Sequence, residues 1–201
     1  MKFAKFISYF FHPINFSIIG ALLYFLLLPK YIFKPLEHTI LIVLFMSTYV
    51  FPIVLLFLMK RFGMINSYHM STIEERKFPT LLFISISIFI GYWLYKSTVV
   101  NLLAFFYFGY GICLIGSYIL LYFNRKVSLH MAAIGGLIGF LIYFSILFEI
   151  NLTILFIILF FFSGIIASAR LRVQAHIVSE VFWGFLLGIF SQFIAFSIYS
   201  I

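Results

Sequence analysis

Residues 152–201, LTILFIILFFFSGIIASARLRVQAHIVSEVFWGFLLGIFSQFIAFSIYSI, decide the fold class of this chain. They form two long apolar runs, residues 152–168 and 177–201, separated by one short polar segment. Each run approaches the roughly 20 residues that a helix needs to cross a bilayer. The charged residues of the stretch, Arg170, Arg172 and Glu180, all lie in or beside the polar segment. This pattern predicts two membrane-spanning helices joined by a loop.

The same alternation runs through the whole chain of 201 residues. Its mean hydropathy is +1.22 and only 9% of its residues are charged, which lies outside the range of soluble domains. We therefore expect an all-α, polytopic membrane helix bundle of six to seven spans, with residues 1–201 forming a single integral membrane domain. The third and sixth spans look short, so we expect one of them to be tilted or partly re-entrant, and Pro52 predicts a kink in the second. The predicted spans cover residues 14–28 (from residue 6 at the earliest), 39–59, 79–95, 99–123, 130–148, 152–168 and 177–201.

The distribution of basic residues predicts an orientation. Loops on the N-terminal side carry Lys2, Lys5, Lys60, Arg61, Arg76, Lys77, Arg125, Lys126, Arg170 and Arg172, whereas the other side carries Lys30, Lys34 and Lys96. By the positive-inside rule, this bias favours a cytoplasmic N-terminal side. We expect a multi-pass protein of a bacterial inner (cytoplasmic) membrane. The basic residues are scattered in short loops, so their partner is the lipid bilayer and not nucleic acid.

Some chemistries are disfavoured by composition. The five acidic residues are all Glu, and the chain contains no Asp, so the carboxylate clusters that hold Mg²⁺ are missing. Cys113 is the only cysteine, which excludes an intrachain disulfide and leaves no His/Cys set at zinc-binding spacing. We therefore expect neither a metal nor another cofactor.

Three polar clusters lie in loops on the N-terminal side of the bundle, at residues 74–79, 125–130 and 168–180. Ionisable groups near membrane depth are functional candidates, and these clusters are expected to converge on one pocket. His176 and Glu180 are four residues apart and share one helix face. Small residues on the fifth and seventh spans predict close helix packing that brings His130 near His176. Taken singly, each cluster also fits an interfacial helix start or a headgroup anchor.

Residues 169–180, ARLRVQAHIVSE, resemble the third signature of the phosphatidic acid phosphatase type 2 superfamily, SRxxxxxHxxxD. Residues 128–130, SLH, resemble the end of the second signature, PSGH. Glu180 stands where the family has Asp, and Ala169 where it has Ser. The nearest match to the first signature, KxxxxxxRP, is Arg76 with Pro79, and His69 occupies the position of its Lys.

The resemblance implies a phosphatidic-acid-phosphatase-like core and a metal-independent lipid phosphate phosphatase. Such an enzyme cleaves a membrane lipid phosphate or diphosphate through a phosphohistidine intermediate. By resemblance, His176 is the nucleophile, Glu180 orients it and His130 protonates the leaving group. The implied phosphate-binding residues are Arg170, Arg76, Lys77, Ser128, Lys126 and Arg172.

Two other functions stay open at this point. One is a catalytically degenerate relative that binds phospholipid or scaffolds a membrane complex. The other is a small transporter for an anionic lipid or solute.

Overall fold

The computed structural model describes residues 2–66, 72–97 and 99–199, and these residues form helices with short connections and no strand. A π-helical turn, Met46–Val50, joins α3 to α4. The helices are α1 (Lys2–Phe10), α2 (Pro13–Leu27), α3 (Lys34–Phe45), α4 (Phe51–Arg61), α5 (Ile73–Lys96), α6 (Asn101–Tyr122), α7 (Leu129–Phe148), α8 (Thr153–Arg172) and α9 (Val178–Tyr199).

Within the described ranges, six helical segments are long and apolar enough to cross a membrane. They are Lys34–Arg61, Ile73–Lys96, Asn101–Tyr122, Leu129–Phe148, Thr153–Arg172 and Val178–Ile198. The pair α1 and α2, bent by 48° at its break, makes a seventh if it is counted as one span. A multi-pass, all-helical membrane protein of six to seven spans is thus confirmed. The phosphatidic-acid-phosphatase-like core stays a prediction.

The expectation that the third and sixth spans are short is wrong. α5 has 24 residues and α8 has 20, and the broken span is the first. The sequence estimate stopped at charged residues, but helical hydrogen bonding continues through them. α5 begins at its N-cap, Thr72, whose hydroxyl accepts the Glu75 N–H at 3.3 Å, so Arg76 already lies inside the helix.

At Pro52, where the sequence predicts a kink, the structure has the π-helical turn just before the proline. Phe51 N–H donates to the Met46 carbonyl, which is an i to i+5 bond. In an α-helix, a proline ring clashes with the carbonyl four residues earlier. For Pro52 this carbonyl belongs to Thr48, which lies inside the wider π-helical turn. The span therefore continues past the proline without a break.

α7 and α9 pack so closely that their backbones touch, because glycines line the contact. A Cβ built on Gly184 would lie 2.7 Å from the Ser128 carbonyl oxygen, and one on Gly188 would overlap the Ala132 carbonyl. From the other side, Gly135 faces the main chain of α9 in the same way. The expected packing of the fifth and seventh predicted spans is confirmed, and it brings the first turns of α7 and α9 together.

The N-terminal helix pair completes the site end of the bundle. α1 packs against α8 and α2 against α7. Between α1 and α2 the chain turns at His12, whose Nδ1 accepts the Ile14 N–H at 3.4 Å, while Pro13 occupies the first helical position. This elbow, residues 8–13, therefore lies beside the start of α7.

Candidate functional site

A cavity of about 190 Å³ opens between α2, α4, α5, α6 and α7 at the end of the bundle where α7 begins. Arg76, His130, Arg170 and His176 all line it. They come from three segments that are far apart in sequence, so the three polar clusters do contribute to one pocket. His12, from the elbow, lines the same cavity.

The connection between α8 and α9 folds Arg170 and His176 toward each other. Gln174 adopts a left-handed conformation with φ 56°. Its N–H donates to the Leu171 carbonyl at 2.9 Å, and the Ala175 N–H donates to the Arg170 carbonyl at 3.2 Å. This pair of bonds is a Schellman cap, which ends α8 and reverses the chain. The five residues between Arg170 and His176 thus form one compact turn.

His176 and Glu180 form the hydrogen bond that their spacing predicts. The Nδ1 of His176 lies 2.7 Å from Oε2 of Glu180. A carboxylate oxygen accepts, so Nδ1 carries the hydrogen and Nε2 keeps its lone pair. Glu180 also accepts the Ile177 N–H at 3.4 Å, as a residue at this position does in a capping box. The His176 side chain is 2% exposed and that of Glu180 is 17% exposed.

His130 is fixed in a complementary way. Its Nε2 lies 3.0 Å from the main-chain carbonyl oxygen of Ser8, in α1. A carbonyl oxygen only accepts, so Nε2 carries the hydrogen and Nδ1 is the ring nitrogen that can take up or give a proton. The ring of His12 meets the ring of His130 edge-on, with centroids 5.7 Å apart.

Two arginines supply positive charge. Arg170 is only 7% exposed, and its Nε is buried with no hydrogen-bond partner among the described groups. Arg76 is half-buried and interacts electrostatically with Arg170, Glu75 and Glu180. Two like charges beside one cavity, one of them buried with a free donor, favour an anion between them, because burial without a partner is costly.

The environment of His176 lowers its pKa. Its pKa is about 4, down from the usual 6.5, and burial is the main cause. The hydrogen bond to Glu180 raises the pKa, whereas the charges of Arg170 and Arg76 lower it further. The imidazole is therefore neutral at pH 7, and its Nε2 lone pair is available as a nucleophile.

Four of the predicted phosphate-binding residues do not line the cavity. Lys77 binds Glu74 at 2.8 Å and lies 5.4 Å over the Tyr122 ring, because neighbouring helix residues point about 100° apart. Arg172 is exposed and borders a separate pocket between α1 and α8. Lys126 is half-buried in the loop before α7. Ser128 is buried, and its N–H donates to the Glu180 carbonyl at 3.0 Å, which ties α7 to α9.

The sequence reasoning missed the elbow. Ser8 and His12 reach the site only because α1 and α2 fold back on α8 and α7, and no motif marks that contact. The His-Pro pair at residues 12–13 is a helix-start signal that could have placed the bend. His69, the counterpart of the first signature's Lys, lies outside the described residues.

Compared with protein-family models, with curated proteins and with solved structures, the chain gives no match. The chemistry open to the site therefore follows from its own groups. It contains an oriented imidazole with a free lone pair, a second histidine in the same cavity and a buried cation with an unused donor. This combination suits nucleophilic attack on an anionic centre.

Proposed function

We propose that this protein hydrolyses the phosphate ester or diphosphate of a membrane lipid through a phosphohistidine intermediate. The observation that carries the proposal is the His176–Glu180 hydrogen bond in a cavity that Arg170 and His130 also line. A structural histidine–acid pair would not need an unpaired guanidinium nitrogen buried beside it. Phosphate offers the oxygens that such a guanidinium binds.

In the first step, Nε2 of His176 attacks phosphorus while the bond from phosphorus to the lipid oxygen breaks. His130, protonated on Nδ1 in the presence of the substrate's negative charge, transfers that proton to the leaving oxygen. Arg170 and Arg76 bind the phosphoryl oxygens as charge redistributes. Glu180 holds the Nδ1 hydrogen of His176 and stabilises the positive charge that forms on the ring.

In the second step, water attacks the phosphohistidine. His130, now neutral, takes a proton from this water, and the bond between phosphorus and Nε2 breaks. Inorganic phosphate leaves, and His176 returns to its starting state. His130 thus gives one proton in the first step and regains one from water in the second, so the protons balance over the cycle.

The walls of the cavity favour a lipid substrate over a soluble one. From the cationic end the cavity continues between spanning helices along apolar side chains, among them Leu56, Phe83, Ile86 and Leu114. A hydrocarbon chain gains free energy on such a surface, whereas a sugar or nucleoside would lose hydration there. Phosphatidic acid, phosphatidylglycerophosphate, a prenyl diphosphate and a lipid A phosphate all fit this description.

Release of inorganic phosphate from these four lipids by the purified protein in detergent tests the proposal. We expect turnover of at least one of them, unchanged by excess EDTA and abolished by His176→Ala. The matched control, His38→Ala, changes an exposed histidine of α3 and should keep full activity. Acid-labile, base-stable labelling of wild type but not of His176→Ala would identify the intermediate. Wild-type turnover by His176→Ala, or loss on chelation, would contradict the mechanism.

The cationic groups also support a second function, binding of a lipid phosphate without hydrolysis. Only Arg170 and Arg76 among the six predicted phosphate ligands line the cavity. The negative charge of a bound phosphate is then neutralised less completely than full catalysis requires. Saturable binding of a lipid phosphate, weakened by Arg170→Gln and accompanied by no phosphate release, would favour this function over hydrolysis.

A further inference from the structure

The elbow between α1 and α2 is the least expected part of the site. It contributes two groups next to His130, the main-chain carbonyl of Ser8 and the imidazole of His12. Both residues also line the cavity. Neither belongs to the three polar clusters that the sequence singles out.

The contacts of the elbow restrict His130 in two ways. The hydrogen bond from Nε2 to the Ser8 carbonyl fixes which ring nitrogen carries hydrogen. One hydrogen bond alone still allows the ring to rotate about it. The ring of His12, packed at 74° to the ring of His130, limits that rotation. A ring with one fixed tautomer and one fixed plane directs Nδ1 in one direction.

The anchoring of the elbow is independent of His130. α1 buries Ala4 and Ile7 and packs against α8, the helix that carries Arg170. α2 packs against α7, the helix that carries His130. The elbow thus connects the helix of the main phosphate-binding cation to the helix of the second histidine.

We propose that the α1–α2 elbow is part of the reaction site and that His12, together with the Ser8 carbonyl, positions His130 to protonate the leaving group. This inference rests on the proposed function. It adds a positioning residue, His12, that lies more than 100 residues from the other site histidines in sequence. His12 moves no proton itself; it holds the ring that does.

A simpler role for His12 must be separated from this one, because its Nδ1 also caps α2. His12→Asn makes the separation. Asparagine is a strong N-cap, so the cap is kept while the imidazole edge is removed. His12→Ala removes both, and His38→Asn, at an exposed position of α3, is the matched control.

The experiment compares two leaving groups. A lipid alkoxide leaves only when it is protonated, whereas the phenolate of p-nitrophenyl phosphate leaves without help. We expect His12→Asn to lower the single-turnover rate of the first step on the lipid phosphate about 10- to 100-fold, with the burst of p-nitrophenolate from p-nitrophenyl phosphate, which precedes the attack of water, within about 2-fold of wild type. His130→Asn should show the same selectivity more strongly, and His38→Asn should change neither substrate. Equal loss on both substrates, or no loss on either, would overturn the proposal.

A second readout does not depend on turnover. In ¹⁵N-histidine-labelled protein, the His130 signals are those missing from the His130→Asn spectrum. Wild type should show one neutral tautomer with hydrogen on Nε2 and sharp signals, and His12→Asn should keep this tautomer but broaden both nitrogen signals as the ring moves about the Ser8 bond. If wild type releases phosphate from no substrate, the proposed function fails and this spectrum alone decides the positioning role. A spectrum unchanged by His12→Asn would overturn it.

Discussion

At the scale of single residues, the site depends on which nitrogen of each histidine carries hydrogen. Glu180 places the hydrogen of His176 on Nδ1, and the Ser8 carbonyl places that of His130 on Nε2. The two rings therefore offer different atoms, Nε2 and Nδ1, to the same cavity. Burial keeps His176 neutral, and the arginines reinforce that state.

The lowered pKa of His176 gives a pH dependence with a definite sign. Only the neutral ring attacks, so phosphatase activity should persist as pH falls through 6.5 and be lost on approaching pH 4. Glu180→Gln removes the carboxylate charge that raises this pKa, so the acid limb of kcat/KM should move to still lower pH while the maximum rate falls at least about 10-fold. The measurement is kcat/KM against pH for both proteins. An acid limb near pH 6.5 that Glu180→Gln does not move would contradict this assignment.

At the scale of helices, two local backbone features hold the site together. The left-handed cap at Gln174 turns the chain between Arg170 and His176, and the glycines of α9 let its first turn touch that of α7. Because α7 and α9 approach closely at these glycines, the Ser128 N–H can donate to the Glu180 carbonyl. The site therefore depends on backbone geometry as well as on its titratable side chains.

Gly184→Ala tests the close approach of α9 to α7. The new Cβ would lie 2.7 Å from the Ser128 carbonyl oxygen and 3.1 Å from its nitrogen, both main-chain atoms that cannot rotate away. We expect about 1–3 kcal/mol of destabilisation and a large loss of activity, because Glu180 moves with its helix. Gly164→Ala is the matched control, since its Cβ would meet no neighbouring helix within 4 Å. Thermal unfolding in detergent and phosphate release are measured together; equal behaviour of the two variants would refute the packing argument.

Gln174→Gly tests the α8 cap. A non-glycine residue at φ 56° is strained, and glycine adopts this conformation freely. We expect the variant to be more stable by about 0.5–1 kcal/mol, with activity retained. Ala167→Gly, inside α8, should instead lower stability by about 1 kcal/mol. Both effects are read from urea or thermal unfolding. A Gln174→Gly protein as unstable as Ala167→Gly would show that the cap is not strained.

At the scale of the whole molecule, the site lies at the end of the bundle where α7 begins. α7 runs about 30 Å from His130 to its C-terminus, where Lys30 lies 6.0 Å over the Phe148 ring. Arg125 and Tyr31 are exposed at these opposite ends. Their accessibility from either side of the membrane therefore reports the orientation of the site.

From the ten-to-three distribution of basic residues, we expect the site end to face the cytoplasm. Single cysteines at Arg125 and Tyr31, in a protein with Cys113→Ala, are treated in intact cells with a membrane-impermeant thiol reagent. Tyr31→Cys should label and Arg125→Cys should label only after lysis. The reverse pattern would show that the site faces outward, and labelling of both in intact cells would show that the span count is wrong.

Features that are local, or that the solvent imposes, could be predicted from the amino-acid sequence. Apolar runs of about 20 residues specify membrane helices because the bilayer leaves the backbone no other partner, and six such helices are present in the described residues. The spacing of His176 and Glu180 specified their hydrogen bond, because residues four apart meet on a helix. The glycines of the fifth and seventh predicted spans likewise indicated a close helix contact.

Only the tertiary structure decided which cations face the cavity and what holds His130. Arg76 and Lys77 are adjacent in sequence, yet helix rotation turns one into the cavity and the other toward Glu74 and Tyr122. The elbow meets His130 through a main-chain carbonyl, which every residue possesses and no sequence pattern marks. The packing of the whole bundle decides which way a side chain points around its helix. It also decides which segments distant in sequence come into contact, so neither can be known before the chain is folded.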